Sequence, residues 1–230
     1  MNQKQTQTTP THPFNMEDNL LRYDKKSVFT FIDLETFNLC LNFIFNRPWQ
    51  VGIIQVKGDK IIDSQDIRVK WPDSPHLSIG REAAVITRFN PEEHEKLAIL
   101  PEEAFKIFWP MLVNSDYIIM HNGLRFDLYL LKGFAEMMGV DWKFIMNKVI
   151  DTKSVAQGIK MNIPYRKADG TFLEYQYRMA NAVVKGIKTN LTALGKEYGI
   201  EHDYEQLHHA INDLLLNLKV WDKLKYQLDL

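Results

Sequence analysis

The sequence is poor in cysteine, in charge of either sign in excess, and in long apolar runs. A single cysteine, Cys40, in 230 residues excludes an internal disulfide and a thiolate zinc site, the usage expected of a reducing, intracellular and cytoplasmic setting. Lys plus Arg (28) nearly balance Asp plus Glu (29), so no global positive field is available to hold a long nucleic acid, and any phosphate binding must be local. No apolar run approaches the roughly 18 residues of a membrane span. No charged start with an apolar stretch behind it marks a secretory signal, so no membrane association is expected. There is no internal repeat. What the chain does have is 45% hydrophobic and 12% aromatic residues, enough to bury a large core and to exclude wholesale disorder. Its length predicts one elaborated domain rather than two.

Residues 1–26 open with MNQKQTQTTPTHP, without apolar periodicity, and read as a mobile N-terminal tail. Order is expected from 27 to 230. SVFTFID from Ser27 is a continuous β-prone run suited to a strand covered on both faces. Trp49 to Val56 and Lys60 to Val69 follow as a hairpin around Lys57, Gly58 and Asp59. Trp71 to Leu100 reads as loop-rich. Pro101 then opens a helix with Glu102 and Glu103 in its first turn, which Pro110 is expected to kink or end. Tyr117 to His121 predicts a strand, Phe126 to Gly139 a helix, and Lys148 to Thr152 a fifth strand. Asn190 reads as the N-cap of a helix stopped at Gly199, and a last helix is expected from about Ala210 to Leu228. This order predicts an α/β fold, a mixed five-stranded sheet flanked by helices.

Three acidic elements stand out. Asp33 and Glu35 end the first strand, and residues two apart on a strand share a face, where two carboxylates can share a hard cation. Spacing alone decides nothing: four acid-x-acid pairs occur, at 33/35, 93/95, 201/203 and 203/205, and about four are expected by chance. Only the first ends a run of buried-type β residues, where charge is expensive without a metal or partner; the alternative is a solvated strand end. The second element, His121-Asn122-Gly123-Leu124-Arg125-Phe126-Asp127, sets an acid at a helix start just beyond a strand's carboxyl end, where α/β sheets collect ligands; an Asp127 that only complements the helix dipole fits the pattern equally well. The third, His208-His209-Ala210-Ile211-Asn212-Asp213, opens the last helix, with a histidine that can serve as base, ligand or cap.

Together the three elements resemble the DEDDh branch of the DnaQ-like 3′–5′ exonucleases. Asp33 and Glu35 in FIDLET match strand-D-x-E, His121 to Asp127 match H-N-G-x-R-[FY]-D, and His208, Ala210 and Asp213 match H-x-A-x-x-D. The six-residue step from His121 to Asp127 resembles the three-prime repair exonuclease variant. Ala84 to Thr87, Val149 to Thr152 and the NLTALGKEYGI helix also fit, so the resemblance runs from about Val28 to Leu224.

The resemblance implies a ribonuclease-H-like fold and a two-metal 3′–5′ exonuclease using Mg²⁺ or Mn²⁺, releasing nucleoside 5′-monophosphates from single-stranded DNA 3′ ends, with RNA as the rival substrate and a silent binding module as the rival class. It implies Asp33, Glu35, Asp127 and Asp213 as metal ligands and His208 as general base, its intrinsic pKa near 6.5 suiting that task. His209, four residues from Asp213, is expected as a surface or supporting residue. Thr36, Phe37, Asn38, Leu39, Thr87 and Asn122 are implied as substrate contacts, though a core role for Phe37 and Leu39 fits as well. Asn38 stands where the family usually has Gly, and Asn tolerates a positive φ there. Cys40 is expected as a buried small hydrophobe. Between Lys160 and Asn190, Lys160, Arg166, Lys167, Arg178, Lys185 and Lys188 interleave with Tyr165, Phe172, Tyr175 and Tyr177, which reads as a strand-gripping surface or as a partly hydrophobic hairpin. A homodimer and a polymerase partner both stay open.

Overall fold

The computed structural model describes residues 26–228 apart from Pro75; the expected N-terminal tail lies almost wholly outside the described residues. Five strands form one sheet: β1 (Val28–Thr36), β2 (Pro48–Lys57), β3 (Lys60–Arg68), β4 (Tyr117–Met120) and β5 (Val149–Asp151), in the order β3-β2-β1-β4-β5. The β1-β2-β3 meander is antiparallel, and β4 and β5 join in parallel, so the sheet is mixed as expected.

Among the described residues there are eight α-helices: α1 (Arg81–Thr87), α2 (Pro91–Leu97), α3 (Pro101–Val113), α4 (Asp127–Met137), α5 (Thr152–Lys160), α6 (Phe172–Asn181), α7 (Leu191–Glu197) and α8 (Ala210–Leu224). None is long and apolar enough to cross a membrane. They cover the two sheet faces with separate cores. Ile32, Leu34, Val51 and Ile53 pack under α3 and α4, whereas Phe31, Ile54 and Ile119 pack under α5 to α8. Strand β1 is covered on both sides because consecutive side chains point to opposite faces, Phe31 into one core and Ile32 into the other.

Three regions differ from expectation. Trp71 to Leu100 is loop-rich as expected but also contains two short helices, α1 and α2, that the pattern did not show. The α2 start is chemically ordinary: Asn90 accepts the N–H groups of Glu92 and Glu93, and Pro91 occupies the first turn. At seven residues each, these helices are too short to display a periodic apolar face. Pro110 does not end α3, which continues to Val113. Pro110 and Lys106 are both exposed, so water can satisfy the Lys106 carbonyl that a proline four residues on cannot serve.

The third correction concerns Lys160 to Asn190, which holds no hairpin. Thr171 and Glu174 form a reciprocal capping box that starts α6. Tyr165, Phe172 and Tyr175 form one buried aromatic cluster, with the Tyr165 ring 5.0 Å from Phe172 and 5.4 Å from Tyr175. Those three rings belong to the core and present no stacking surface. Phe172→Ala is therefore expected to lower unfolding free energy by about 3–5 kcal/mol, the usual cost of deleting a buried aromatic. Urea denaturation checks this; a cost under about 1 kcal/mol, within the range of exposed sites, would contradict the burial.

Candidate active site

The site forms where β1 outruns its neighbour. β4 pairs with β1 only across Phe29 to Phe31, while β1 continues against β2 as far as Thr36. The far end of β1 thus has one edge without a strand beside it. The Leu34 N–H on that edge is taken by the Asp127 carboxylate at 3.1 Å, from the first residue of α4. This bond draws a buried acid from one helical layer to the strand between Asp33 and Glu35.

Asp33 and Glu35 continue the face on which Phe31 lies, the face crossed by α8. The helix reaches them because Gly52, the β2 partner of Asp33, has no side chain. A Cβ at Gly52 would meet the Ala210 Cβ at 2.5 Å and its Cα at 3.3 Å, so the start of α8 rests directly on β2. Asp213, in the first turn of α8, then joins the pair. Carboxylate oxygens of Asp33, Glu35 and Asp213 all lie within 4.8 Å of one another. Gly52→Ala is expected to push the helix start away, costing about 1–3 kcal/mol of stability and a larger share of any activity that needs Asp213. Ala210→Gly in the same chain should restore part of both, which a double-mutant cycle measures; strictly additive losses would contradict the contact.

Four carboxylates, Asp127 buried and the other three half-buried, repel one another. Burial raises the Asp33 carboxyl well above its ordinary value, and Asp127, Glu35 and Asp213 each raise it further. Burial, then Asp213 and Asp127, push Glu35 up to about 8. Asp127 is pushed up to about 7 by burial, opposed by its own and Leu34's backbone N–H groups. Asp213 is also raised by burial, with the His208 N–H and the charges of His208 and His209 acting against it. The donor set fits a hard divalent cation: it is all carboxylate oxygen, gathered within a few ångströms, and ionises fully only when positive charge is supplied.

His208 lies on the turn before α8, as expected, in the left-handed region with φ 66. Its N–H donates to Asp213 Oδ1 at 3.3 Å, and its side chain is exposed at the site's edge. A non-glycine residue in this conformation is uncommon and costs of order 1 kcal/mol, held here by the Asp213 tether. His209 N-caps α8, and its Nε2 is 3.5 Å from Asp66 Oδ2 on edge strand β3. Asp66 also accepts a bond from Gln50 Nε2 at 2.6 Å.

The expected substrate residues divide. Leu39 is 85% exposed on the turn after β1, while Phe37 is buried edge-on to Phe89, so the two halves of that pair part company. The Thr36 hydroxyl donates to the Asn38 carbonyl and the Thr87 hydroxyl to the Ala83 carbonyl inside α1. Asn38 does not take a positive φ; its side chain instead bonds Cys40 N–H and the Phe45 carbonyl, closing the turn without the conformation glycine favours. Cys40 is exposed, not buried, because that turn faces outward. Asn122 has φ 69 and accepts from Lys153 Nζ at 3.1 Å.

A supporting layer escaped the sequence reading. Asp151, fully buried at the end of β5, accepts the N–H groups of Asn122 (3.3 Å), Leu124 (3.0 Å) and Ser154 (2.9 Å), fixing the turn that delivers Asp127. His121 Nδ1 is 2.9 Å from Thr152 Oγ1, which donates to Asn217 Oδ1 at 2.7 Å, one helical turn beyond Asp213. Burial, with Lys153 adding, pushes His121 down to about 3, so this link is neutral. A glycine inside the alternating WQVGIIQV run was the available signal for Gly52; nothing local marks Asp151 or Asn217.

The sheet order, the helical layers and the acid-bearing end of β1 define a ribonuclease-H-like α/β domain with a carboxylate site on its central strand. Solved structures of E. coli exonuclease I share this fold. Its complex with a dT13 oligonucleotide has a TM-score of 0.66 at 20% identity, covering 88% of this chain and 42% of that one. The zinc-ion-bound form of the enzyme–ssDNA complex gives 0.64 at 20% identity over 84% and 39%, and the product-bound form 0.63 at 19% over 86% and 44%. This chain therefore spans less than half the length of those proteins. No family model and no curated protein matches the sequence.

Proposed function

We propose that the chain is a divalent-metal-dependent 3′–5′ exonuclease that releases nucleoside 5′-monophosphates from single-stranded 3′ ends, with DNA as the preferred substrate. The observation that carries this reading is the meeting of Asp33, Glu35 and Asp213 within 4.8 Å, with Asp127 bonded to the strand between the first two. That the solved neighbours are named as exonuclease I in complexes with oligonucleotides supports the choice of substrate class.

Asp33, Glu35 and Asp213 would hold Mg²⁺ or Mn²⁺, with Asp127 completing a second position. When bound, such a pair supplies hydroxide near neutral pH and offsets charge on the attacking and leaving oxygens. The Leu34 N–H fixes the direction of the Asp127 carboxylate. His208 takes the proton of the attacking water on a ring nitrogen, and its backbone bond to Asp213 keeps the imidazole beside the acids. His209 is the less available imidazole, being drawn toward Asp66.

End-labelled DNA and RNA strands, open or blocked at the 3′ end, incubated with Mg²⁺, Mn²⁺ or EDTA, test this function. Stepwise shortening of open-ended DNA in metal alone is expected. Internal cuts, or no cleavage in either metal, would overturn it.

A further inference from the structure

Past the ends of β4 and β5, on the turn that leads into Asp127, lies a polar cleft of about 190 Å³ lined by Asn122, Arg125, Lys153, Gln157 and Thr189 and walled by residues 182–184. Its two cation-bearing elements are joined through one buried group. Asp151 binds the N–H groups of Asn122 and Leu124 on the turn that carries Arg125, and of Ser154 beside Lys153 in the first turn of α5. Lys153 Nζ donates to Asn122 Oδ1 at 3.1 Å, and Arg125 Nη1 donates to the Ala180 carbonyl at 3.1 Å. Both acceptors are neutral. Among the described residues, neither cation has a carboxylate within ion-pair distance.

A guanidinium has five N–H donors and an ammonium three, so each keeps donors beyond the one engaged. Two positioned cations with no carboxylate in ion-pair contact, opening on a concave polar surface, suit an anion with several oxygens. In a chain of net charge -1 they are a local source of the field a nucleic-acid backbone needs. Arg125 also stands only two residues before Asp127.

We propose that the cleft is a phosphate subsite in which Lys153 and Arg125 grip a phosphodiester of the strand on the 5′ side of the scissile bond. The identity of the ligand rests on the exonuclease reading; the paired cations do not.

The test is a binding measurement. A fluorescent oligodeoxythymidine with a non-hydrolysable phosphonate at its last linkage is titrated by anisotropy in Mg²⁺ at several salt concentrations. Lys153→Gln is expected to weaken binding about tenfold and to reduce the salt slope by about 0.7, the loss of one single-strand phosphate contact. Lys153→Arg, which keeps the charge, should restore both, separating the contact from a folding defect. Neutral methylphosphonates placed at one internal linkage at a time should find one position that weakens wild-type binding and has no effect in Lys153→Gln. Unchanged affinity and slope in Lys153→Gln would overturn the subsite. So would a variant that weakens only competition by a nucleoside 5′-monophosphate, since the cleft would then take released product. Lys153-dependent binding by a wild-type protein that hydrolyses nothing in any metal would leave the subsite standing and remove the exonuclease reading.

Discussion

Asp33→Asn is expected to lower hydrolysis by at least about 10³-fold and to weaken divalent-ion binding in parallel, since charge stabilisation by a bound cation supplies several kcal/mol of the barrier reduction. Asp33 is the acid on which the other three converge: Asp127, Glu35 and Asp213 all act on its carboxyl, and its neighbour across the sheet is the glycine on which α8 rests. An amide keeps the shape and removes the charge. His208→Ala should separate the two effects, lowering turnover by about 10²- to 10⁴-fold with ion affinity retained, as deletion of a general base does. Calorimetric titration with Mn²⁺ beside single-turnover hydrolysis checks both. Wild-type ion affinity in Asp33→Asn would contradict the assignment.

Removal of metal should make stability fall as pH rises. Glu35 and Asp127 are pushed up to about 8 and about 7, against ordinary carboxylate values near 4 in the unfolded chain, so the native state holds their protons more tightly. Stability from this source is complete below the unfolded values and is lost as pH climbs through 7 and then 8. The slope is up to about 1.4 kcal/mol per pH unit for each proton concerned. Below about pH 6.5 the buried neutral His121 acts in the opposite sense, because the unfolded chain there binds the proton that His121 refuses. The informative window is therefore the alkaline one. In EDTA the urea midpoint should drop between about pH 6.5 and 9, Mg²⁺ should remove the drop, and Glu35→Gln should flatten it. A midpoint that is flat or rises over that range in EDTA would show that the acids are not crowded in solution.

Much of this site was legible because its motifs sit at element boundaries that announce themselves. Asp33 and Glu35 follow a β-prone run, Asp127 follows a short apolar strand, and Asp213 opens an apolar helix; the structure places all four beside one another. The Asn190 cap and the meander were equally local signals, and both are found. What was missed depends on partners far along the chain. The contact of Gly52 with Ala210 joins residues that no local pattern relates, and Asp151 becomes a clamp only once Asn122 and Leu124 arrive from another strand's end. Tyr165, Phe172 and Tyr175 look the same in sequence whether they face a nucleic acid or one another. Packing against one another decided it.

Crystals grown or soaked in Mn²⁺, with data collected at the manganese edge, test the central claim most directly. An anomalous peak bounded by the carboxylates of Asp33, Glu35 and Asp213 is the expected result. The absence of any peak there, with the three side chains well ordered, would contradict it.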